Sequence, residues 1–472
     1  MPQRRPLRDR QGGHACAILN LVVPLANPAT AMCTKGTARH RPRRPCTVAP
    51  LTGSGPRQGN VNSTTWRSTA RTTRGIRTLM MATRTTITRT TPFGLVPSAD
   101  TADAAPGHAD FLFQELVQAY LDCRRSKRSS RSALAFELNL EHNLMQLHTE
   151  LQTGTYQPGR SICFVVTQPK PREVWAADFR DRIVHHLLYN QVGPTIERRF
   201  IADSCACIKE RGTLYAAKRL DAKVRSITHN WSQPAHYLKC DLANFFVSIN
   251  KTVLEQQLAK HITQPYWQAL ALQILWHDPR QNYELRTTPK LLAKVPQHKR
   301  LAEQPAHLGL PIGNLSSQFF ANVYLNALDQ FIKHQLQAKY YIRYVDDFVL
   351  LHQSPQQLNQ WRHQIEQFLA THLQAQLNPS KTILQPVDRG IDFVGQVIKP
   401  WHRVTRRRTL KTALRKVTST PQPQLRETAN SYFGLLSQAS HSQRDREKLA
   451  KVLLMRGRAV NAGISKIVGR RA

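Results

Sequence analysis

From residue 111 onward two patterns of apolar and polar positions alternate along the chain, one with the helical period and one with the strand period. Phe111 to Asp122 and Ala133 to Leu151 carry apolar residues at three- and four-residue spacing, which predicts helices with one buried face. Ser161-Ile162-Cys163-Phe164-Val165-Val166 reads as a strand. Asp178 to Val192 returns to the helical period, with Ile183, Val184, Leu187, Leu188 and Val192 on one face. Tyr237 to Asp241 reads as a short strand and Lys251 to Lys260 as a helix. Residues 277–305 are polar, basic and proline-containing, as in a long loop or insertion. Leu315 to Leu336 predicts a long helix, Tyr340 to Leu351 a strand–turn–strand hairpin, and Ser354 to Leu373 another helix. Ile391 to Ile398 fits a strand pair or bend, and the basic tail from Val404 to Ala472 reads as helical. Mixed elements without an internal repeat predict an α+β fold.

Residues 1–105 differ. They are rich in Arg, Thr and Pro, and no period persists, so they bury too little apolar surface to offset the entropy of ordering. They are expected to be a disordered basic segment. Met80 and Met81 stand just before the composition changes, which fits an over-extended start; a basic nucleic-acid-binding arm is the alternative. Arg4 and Arg5 ahead of the apolar stretch from Ala15 to Ala26 resemble a secretory leader, but Pro24 interrupts it.

Charge changes the picture. Lys and Arg number 67 against 30 Asp and Glu, a net charge of +37. Residues 1–100 hold 16 of those bases and 2 of the acids, which leaves 51 and 28 in the remaining 372 residues. The folded part is therefore basic in its own right, and its expected partner is a polyanion: nucleic acid first, an anionic membrane surface second. The 8 cysteines are scattered, and the spacing of Cys205 and Cys207 does not fit a zinc finger, so a reducing, cytoplasmic compartment is expected. No apolar run reaches the roughly 18 residues of a membrane span, so no membrane partner is expected.

The sharpest chemical signal is Tyr344-Val345-Asp346-Asp347, set between the apolar runs Tyr340-Tyr341-Ile342 and Phe348-Val349-Leu350-Leu351. Adjacent acids at a tight turn between buried strands are costly unless a positive charge holds them. Asp241, between Tyr237-Leu238-Lys239-Cys240 and Leu242-Ala243-Asn244-Phe245-Phe246, supplies a third carboxylate. Alone it would read as a turn residue or helix cap; with the pair it completes an oxygen donor set for two Mg²⁺ ions, the arrangement phosphoryl transfer uses.

With these motifs in this order, the stretch from about Tyr156 to Pro400 resembles the reverse transcriptase family. The resemblance implies a right-hand polymerase fold: fingers and a palm with an antiparallel sheet over 106–400, and a helical thumb over 401–472. It implies that Asp241, Asp346 and Asp347 bind the metals and carry catalysis, that the backbone carbonyl of Leu242 also touches metal, and that Mn²⁺ is a substitute for Mg²⁺. Lys170-Pro171-Arg172, followed by Asp178-Phe179-Arg180-Asp181-Arg182-Ile183-Val184, resembles the fingers motif, with Lys170 and Arg172 on the incoming triphosphate. Phe200 to Gly212 resembles the next one, with Lys209 and Arg211 as weaker phosphate or template contacts. Phe246 matches the aromatic that excludes a 2′-hydroxyl, which favours DNA over RNA synthesis; a plain core aromatic is the alternative. Leu377-Asn378-Pro379-Ser380-Lys381-Thr382 brings Lys381 as a general acid on pyrophosphate, or as a phosphate-contacting or exposed lysine. Gly390-Ile391-Asp392-Phe393-Val394-Gly395 resembles the turn under the primer end, where Gly395 is expected to allow a close backbone approach. Arg403, Arg406, Arg407, Arg408, Lys411, Arg415 and Lys416 are expected on one thumb helix that tracks the duplex backbone.

Leu310-Pro311-Ile312-Gly313-Asn314-Leu315-Ser316-Ser317-Gln318 departs from the commonest family pattern at Ile312 and Gln318. Together with Gly313 these are expected at the nucleotide. The Ile-Gly and Ser-Gln pairs resemble the reverse transcriptases of diversity-generating retroelements. That implies error-prone copying of a template-repeat RNA from a primer with dNTPs, in a prokaryotic cytoplasm, beside a small basic accessory protein. The alternatives are a retron-like, phage-defence or group II intron-derived enzyme and, from another class, a non-catalytic RNA-binding scaffold.

Overall fold

A computed structural model of the chain describes residues 111–125, 130–168 and 170–468; the expected disordered segment over 1–105 lies outside them. Strands β1 (Ser161–Val166) and β2 (Arg172–Ala176) pair antiparallel. β3 (His236–Cys240) belongs to another sheet, while β4 (Tyr283–Leu285) runs parallel to β1. β5 (Tyr340–Tyr344), β6 (Asp347–His352) and β7 (Ile383–Pro386) join β3 in the order β5-β6-β3-β7, every pair antiparallel. β8 (Ile391–Phe393), β9 (Gln396–Lys399) and β10 (His402–Thr405) form a third, meandering sheet. Mixed helices and sheets of this kind agree with the expected α+β class.

The four-stranded sheet is apolar on both faces. Val349 and Leu351 of β6 pack with Tyr237 and Ile342 against α5 (Thr213–Ile227), which contributes Ala216, Leu220, Val224 and Ile227. Side chains alternate across a strand, so Phe348 and Leu350 face the other way. On β3 and β6 lies α9 (Pro355–His372), whose buried stripe is Leu358, Trp361, Ile365 and Leu369. Burial on both faces is why this run lacks the polar alternation of a half-exposed strand. Ahead of the sheets, α1 (Phe113–Arg124), α2 (Arg131–Leu138) and α3 (Leu140–Gln152) pack on one another, and α1 and α2 also pack on α4 (Phe179–Glu197). α6 (Lys251–His261) and α7 (Pro265–Trp276) follow β3, and α8 (Leu315–Gln330) packs against α4, α6 and α9.

The C-terminal helices α10 (Arg407–Ser419), α11 (Gln422–Leu436) and α12 (Gln443–Met455) close on a core of their own. Val417, Leu425, Phe433, Leu436, Leu449 and Leu453 are fully buried there, each contributing about 1.5–3 kcal/mol. Among the described residues no helix is long and apolar enough to cross a membrane.

Several expectations need correction. The helix expected over Ala133 to Leu151 breaks at Asn139, whose φ of −126° and ψ of 49° leave the helical region, giving α2 and α3. The helix expected to reach Leu336 ends at Gln330 and continues through one wider turn, Phe331–Gln335. The loop over 277–305 contains β4, a helical turn at Pro289–Leu292 and two 3₁₀ turns. The tail begins with strand β10, and its helix starts only at Arg407. Arg403 therefore lies on a strand, buried, donating to Gln396 Oε1 at 2.8 Å and to the Gln438 carbonyl at 3.1 Å. Arg406 stands just before the helix and pairs with Asp392. Both are held by the fold, unlike Arg407, Arg408, Lys411, Arg415 and Lys416, which do lie on α10.

Candidate active site

Strand register brings the distant acids together. Cys240 of β3 is paired with Phe348 of β6, so the next positions outward are Asp241 and Asp347. Neighbouring strands lie about 4.7–4.9 Å apart, so the two carboxylates stand close enough for the charge of Asp241 to act on Asp347. Asp346 sits in the two-residue turn closed by the Tyr344–Asp347 pair. The other turn residue, Val345, has φ +56°. That is the left-handed region, ordinarily occupied by glycine at such a turn and strained by about 1–2 kcal/mol for a side chain with a branched β-carbon.

The electrostatics are those of acids short of positive charge. Withdrawal from water, and then the charges of Asp241 and Asp347, push the Asp346 carboxyl up to about 7. Asp347 is raised too, first by withdrawal from water; Lys239 opposes this, and Asp241 adds to it. Lys239 Nζ lies 4.0 Å from Asp347 Oδ2 and donates to the Asp392 carbonyl at 2.9 Å. The Lys381 ammonium bonds directly to Asp241 Oδ1. The loop carrying Lys381 is anchored to the same segment, with Asn378 N donating to the Asp241 carbonyl at 2.7 Å and Ala243 N to the Gln376 carbonyl at 2.9 Å. Lys170 stands at the edge of this group. Partial burial lowers its pKa first, then Lys381, Lys299 and Arg172, while Asp241 opposes them.

The site thus pairs an acidic centre with a rim of Lys170, Arg172, Lys299 and Lys381. Lys299 and Lys239 were not among the residues singled out from sequence. Lys299 lies in the basic 277–305 stretch and Lys239 is the one charged residue of β3, so their charge was visible but their neighbours were not. The donor atoms around the acids are all carboxylate oxygens, which suits Mg²⁺ or Mn²⁺. Among the described residues no three carboxylate, thiol or imidazole groups already stand at metal-cage spacing; on the Asp241 side the Lys381 ammonium takes the place of a cation.

Other candidates are held by the fold itself. The Ile312 carbonyl accepts from Trp175 N at 2.8 Å, and Asn314 bonds to Ala177 N and the Trp175 carbonyl, tying this motif to β2. Gly313, at φ +132°, has no room for a side chain: a Cβ would meet Val174 Cγ1 at 2.8 Å and the Trp175 carbonyl at 3.2 Å. The close approach it permits is to β2. Gly395 carries a positive φ of +86° in the β8–β9 turn, and the space beside it is open. Arg211, expected at phosphate or template, donates instead to the carbonyls of Ile201 and Ser204, both at 2.8 Å; Lys209 is exposed. Leu242 is buried and bridged to Leu377. Phe246 is half-buried edge-to-face on Phe245, and its carbonyl accepts from Leu310 N at 2.8 Å, so it adjoins the segment that leads into Ile312. Gln318 lies half-buried in the first turn of α8.

Residues 169–398 match the family model for reverse transcriptase (RNA-dependent DNA polymerase). They form a reverse transcriptase domain. The enzyme class that goes with this domain is RNA-directed DNA polymerase, acting on an RNA template with divalent metal ions. Protein YkfC of Escherichia coli (strain K12) is 24% identical over 345 residues, 66% of this chain and 82% of that protein. Among solved structures, telomerase from Candida albicans in complex with a TWJ fragment of telomeric RNA is similar at a TM-score of 0.39 and 13% identity, over 64% of this chain. Apo telomerase from Candida tropicalis follows at 0.38 and 12%, over 51% of this chain. The chain spans about half of each telomerase chain, 53% in both cases. Likeness at that distance carries no residue roles. The reverse transcriptase domain encloses β2, the whole four-stranded sheet and all three acids.

Proposed function

We propose that this reverse transcriptase extends a primer on RNA by a two-metal mechanism centred on Asp241, Asp346 and Asp347, within a right-hand fold whose thumb is α10–α12. The observation that carries it is the register placing Asp241 opposite Asp347 beside the strained Val345–Asp346 turn. Two bound Mg²⁺ would activate the primer 3′-hydroxyl and neutralise the leaving pyrophosphate. The chain's own work is positional. β3 and β6 hold the carboxylates before substrate arrives, so no reorganisation is needed at the moment of reaction. Lys170 and Arg172 meet the triphosphate from the rim, and Lys381 exchanges its bond to Asp241 for one to a phosphate oxygen. Phe246 stands against the sugar and excludes a 2′-hydroxyl. The basic face of α10 tracks the duplex backbone, a salt-sensitive contact.

Primer extension on an RNA template with Mg²⁺ tests this. Wild-type protein should extend and Asp346→Ala should not; activity that survives Asp346→Ala places the chemistry elsewhere. Phe246→Ala should raise ribonucleotide incorporation.

The subfamily reading is error-prone copying of a template-repeat RNA in a diversity-generating retroelement, with a small basic accessory protein as partner in a prokaryotic cytoplasm. Its support is Ile312 and Gln318: an isoleucine side chain offers no hydrogen bond to nucleotide or template, which loosens discrimination. Sequencing the cDNA of wild type and Ile312→Gln decides it. An unchanged error spectrum at template adenines removes the support and leaves the retron-like, phage-defence and intron-derived readings.

A further inference from the structure

Directly behind the catalytic turn lies an arginine that no motif singles out. Arg343, on β5, has a fully buried side chain, as has its partner Asp329 on α8. The guanidinium uses its whole fork. Nε donates to Asp329 Oδ1 at 2.8 Å and Nη2 to Asp329 Oδ2 at 2.6 Å. Nη2 also donates to Ser204 Oγ at 3.0 Å, and Nη1 to Asn322 Oδ1 at 3.2 Å. The last bond runs from Nη1 to the carbonyl of Val345, at 3.0 Å. Tyr341 Oη donates to Asp329 Oδ1 at 2.7 Å, which completes that carboxylate. The segment before α5 is tied in through the backbone: Arg343 N donates to the Asp203 carbonyl at 2.9 Å, and Cys205 N to the Arg343 carbonyl at 3.0 Å.

Val345 is the residue that needs holding. It carries the left-handed φ of the turn, and the residue after it is Asp346. A valine does not rest in that conformation without support. A buried ion pair is weak evidence for stability, because apolar residues of similar volume often serve as well. What an apolar residue cannot do is bond a carbonyl, and a lysine ammonium cannot reproduce a planar fork.

We propose that Arg343 is a positioning residue for catalysis: through its bond to the Val345 carbonyl it holds the turn in the conformation that aims Asp346 and Asp347 at Asp241. Asp329, Asn322 and Ser204 orient the guanidinium for that task. The inference rests on the proposed two-metal function. Its test is therefore built to fail separately.

The test compares wild type, Arg343→Lys and the double variant Arg343→Met/Asp329→Leu. The double variant leaves no unpaired charge in the core, so its melting temperature should stay within a few degrees of wild type. In primer extension its kcat should fall at least tenfold with KM for dNTP changed less than threefold. Amide hydrogen exchange at Val345 to Asp347 should speed up in both variants, measured without metal or substrate. A purely structural role would move the melting temperature and leave a folded variant's kcat alone. A kcat within twofold of wild type together with unchanged exchange at the turn overturns the proposal. Should the double variant not fold, Arg343→Lys keeps the charge pair and decides by the same two readouts. A wild type that does not extend primers refutes the two-metal function instead, and exchange at the turn then decides the role of Arg343.

Discussion

Two aspartate environments only 17 residues apart in the chain behave in opposite ways. Behind the hairpin, Asp329 is fully buried and fully answered by Arg343 and Tyr341. At its mouth, Asp346 and Asp347 face Asp241 with cations only at the edge; Asp346 is pushed up to about 7 and Asp347 is pushed up as well. The interior is neutral as a unit, whereas the mouth keeps a surplus of negative charge that a divalent cation would relieve. A third buried group shows another outcome. His185, against Ser316 Oγ at 3.4 Å, gains no counter-charge, and burial followed by its cationic neighbours pushes it down to about 3, so it stays neutral. Pairing, neutralisation and unrelieved repulsion mark structural and reactive positions apart.

The strongest way to break this comparison is Asp346→Ala, which should abolish extension while thermal unfolding shows stability held or raised, because repulsion at the turn is relieved. A large fall in melting temperature would mean that the acid is structural. Next in size is Asp329→Ala, which strands a buried guanidinium; urea unfolding should show a loss of about 3–5 kcal/mol. The pH dependence separates the third case. In the unfolded chain His185 takes up a proton near its ordinary value of about 6.5, while in the folded state it resists down to about 3. Stability from this group is thus intact above about pH 6.5 and falls by up to about 1.4 kcal/mol per pH unit below it. His185→Gln should flatten that part of the curve. The smallest effect is expected at Val345→Gly. Relief of left-handed strain offsets the entropy that glycine adds to the unfolded chain, so stability should change by less than about 1 kcal/mol.

Much of the palm was legible in the chain. The run from Tyr340 to Leu351 with acids at its centre is a hairpin in the structure, within a residue of its expected ends. The helix over Ser354 to Leu373 and the strand pair over Ile391 to Ile398 also appear close to where the pattern put them. β2 and β7 leave little local signal because Arg172–Ala176 and Ile383–Pro386 are short; β2 returns on its neighbour β1 in a tight hairpin, whereas the partner of β7, β3, lies far away in sequence. α5 carries a helical stripe of Ala216, Leu220, Val224 and Ile227, so its period is legible in the sequence. Arg343 left one trace: a charged residue inside an otherwise apolar strand, which must find a partner if buried.

The amino-acid order alone was enough to say that residues from 111 onward fold into mixed helices and strands, that the folded part is basic, and that three aspartates are poised for a shared task. Local period and charge decide those things, and both are properties of neighbouring residues. Which aspartates meet was decided by the pairing of β3 with β6 across more than a hundred residues, a register set by burial of both faces of the sheet. The same packing decided that Asp329 is answered and Asp346 is not, because charge compensation in a low-dielectric interior depends on distances that only the folded chain defines.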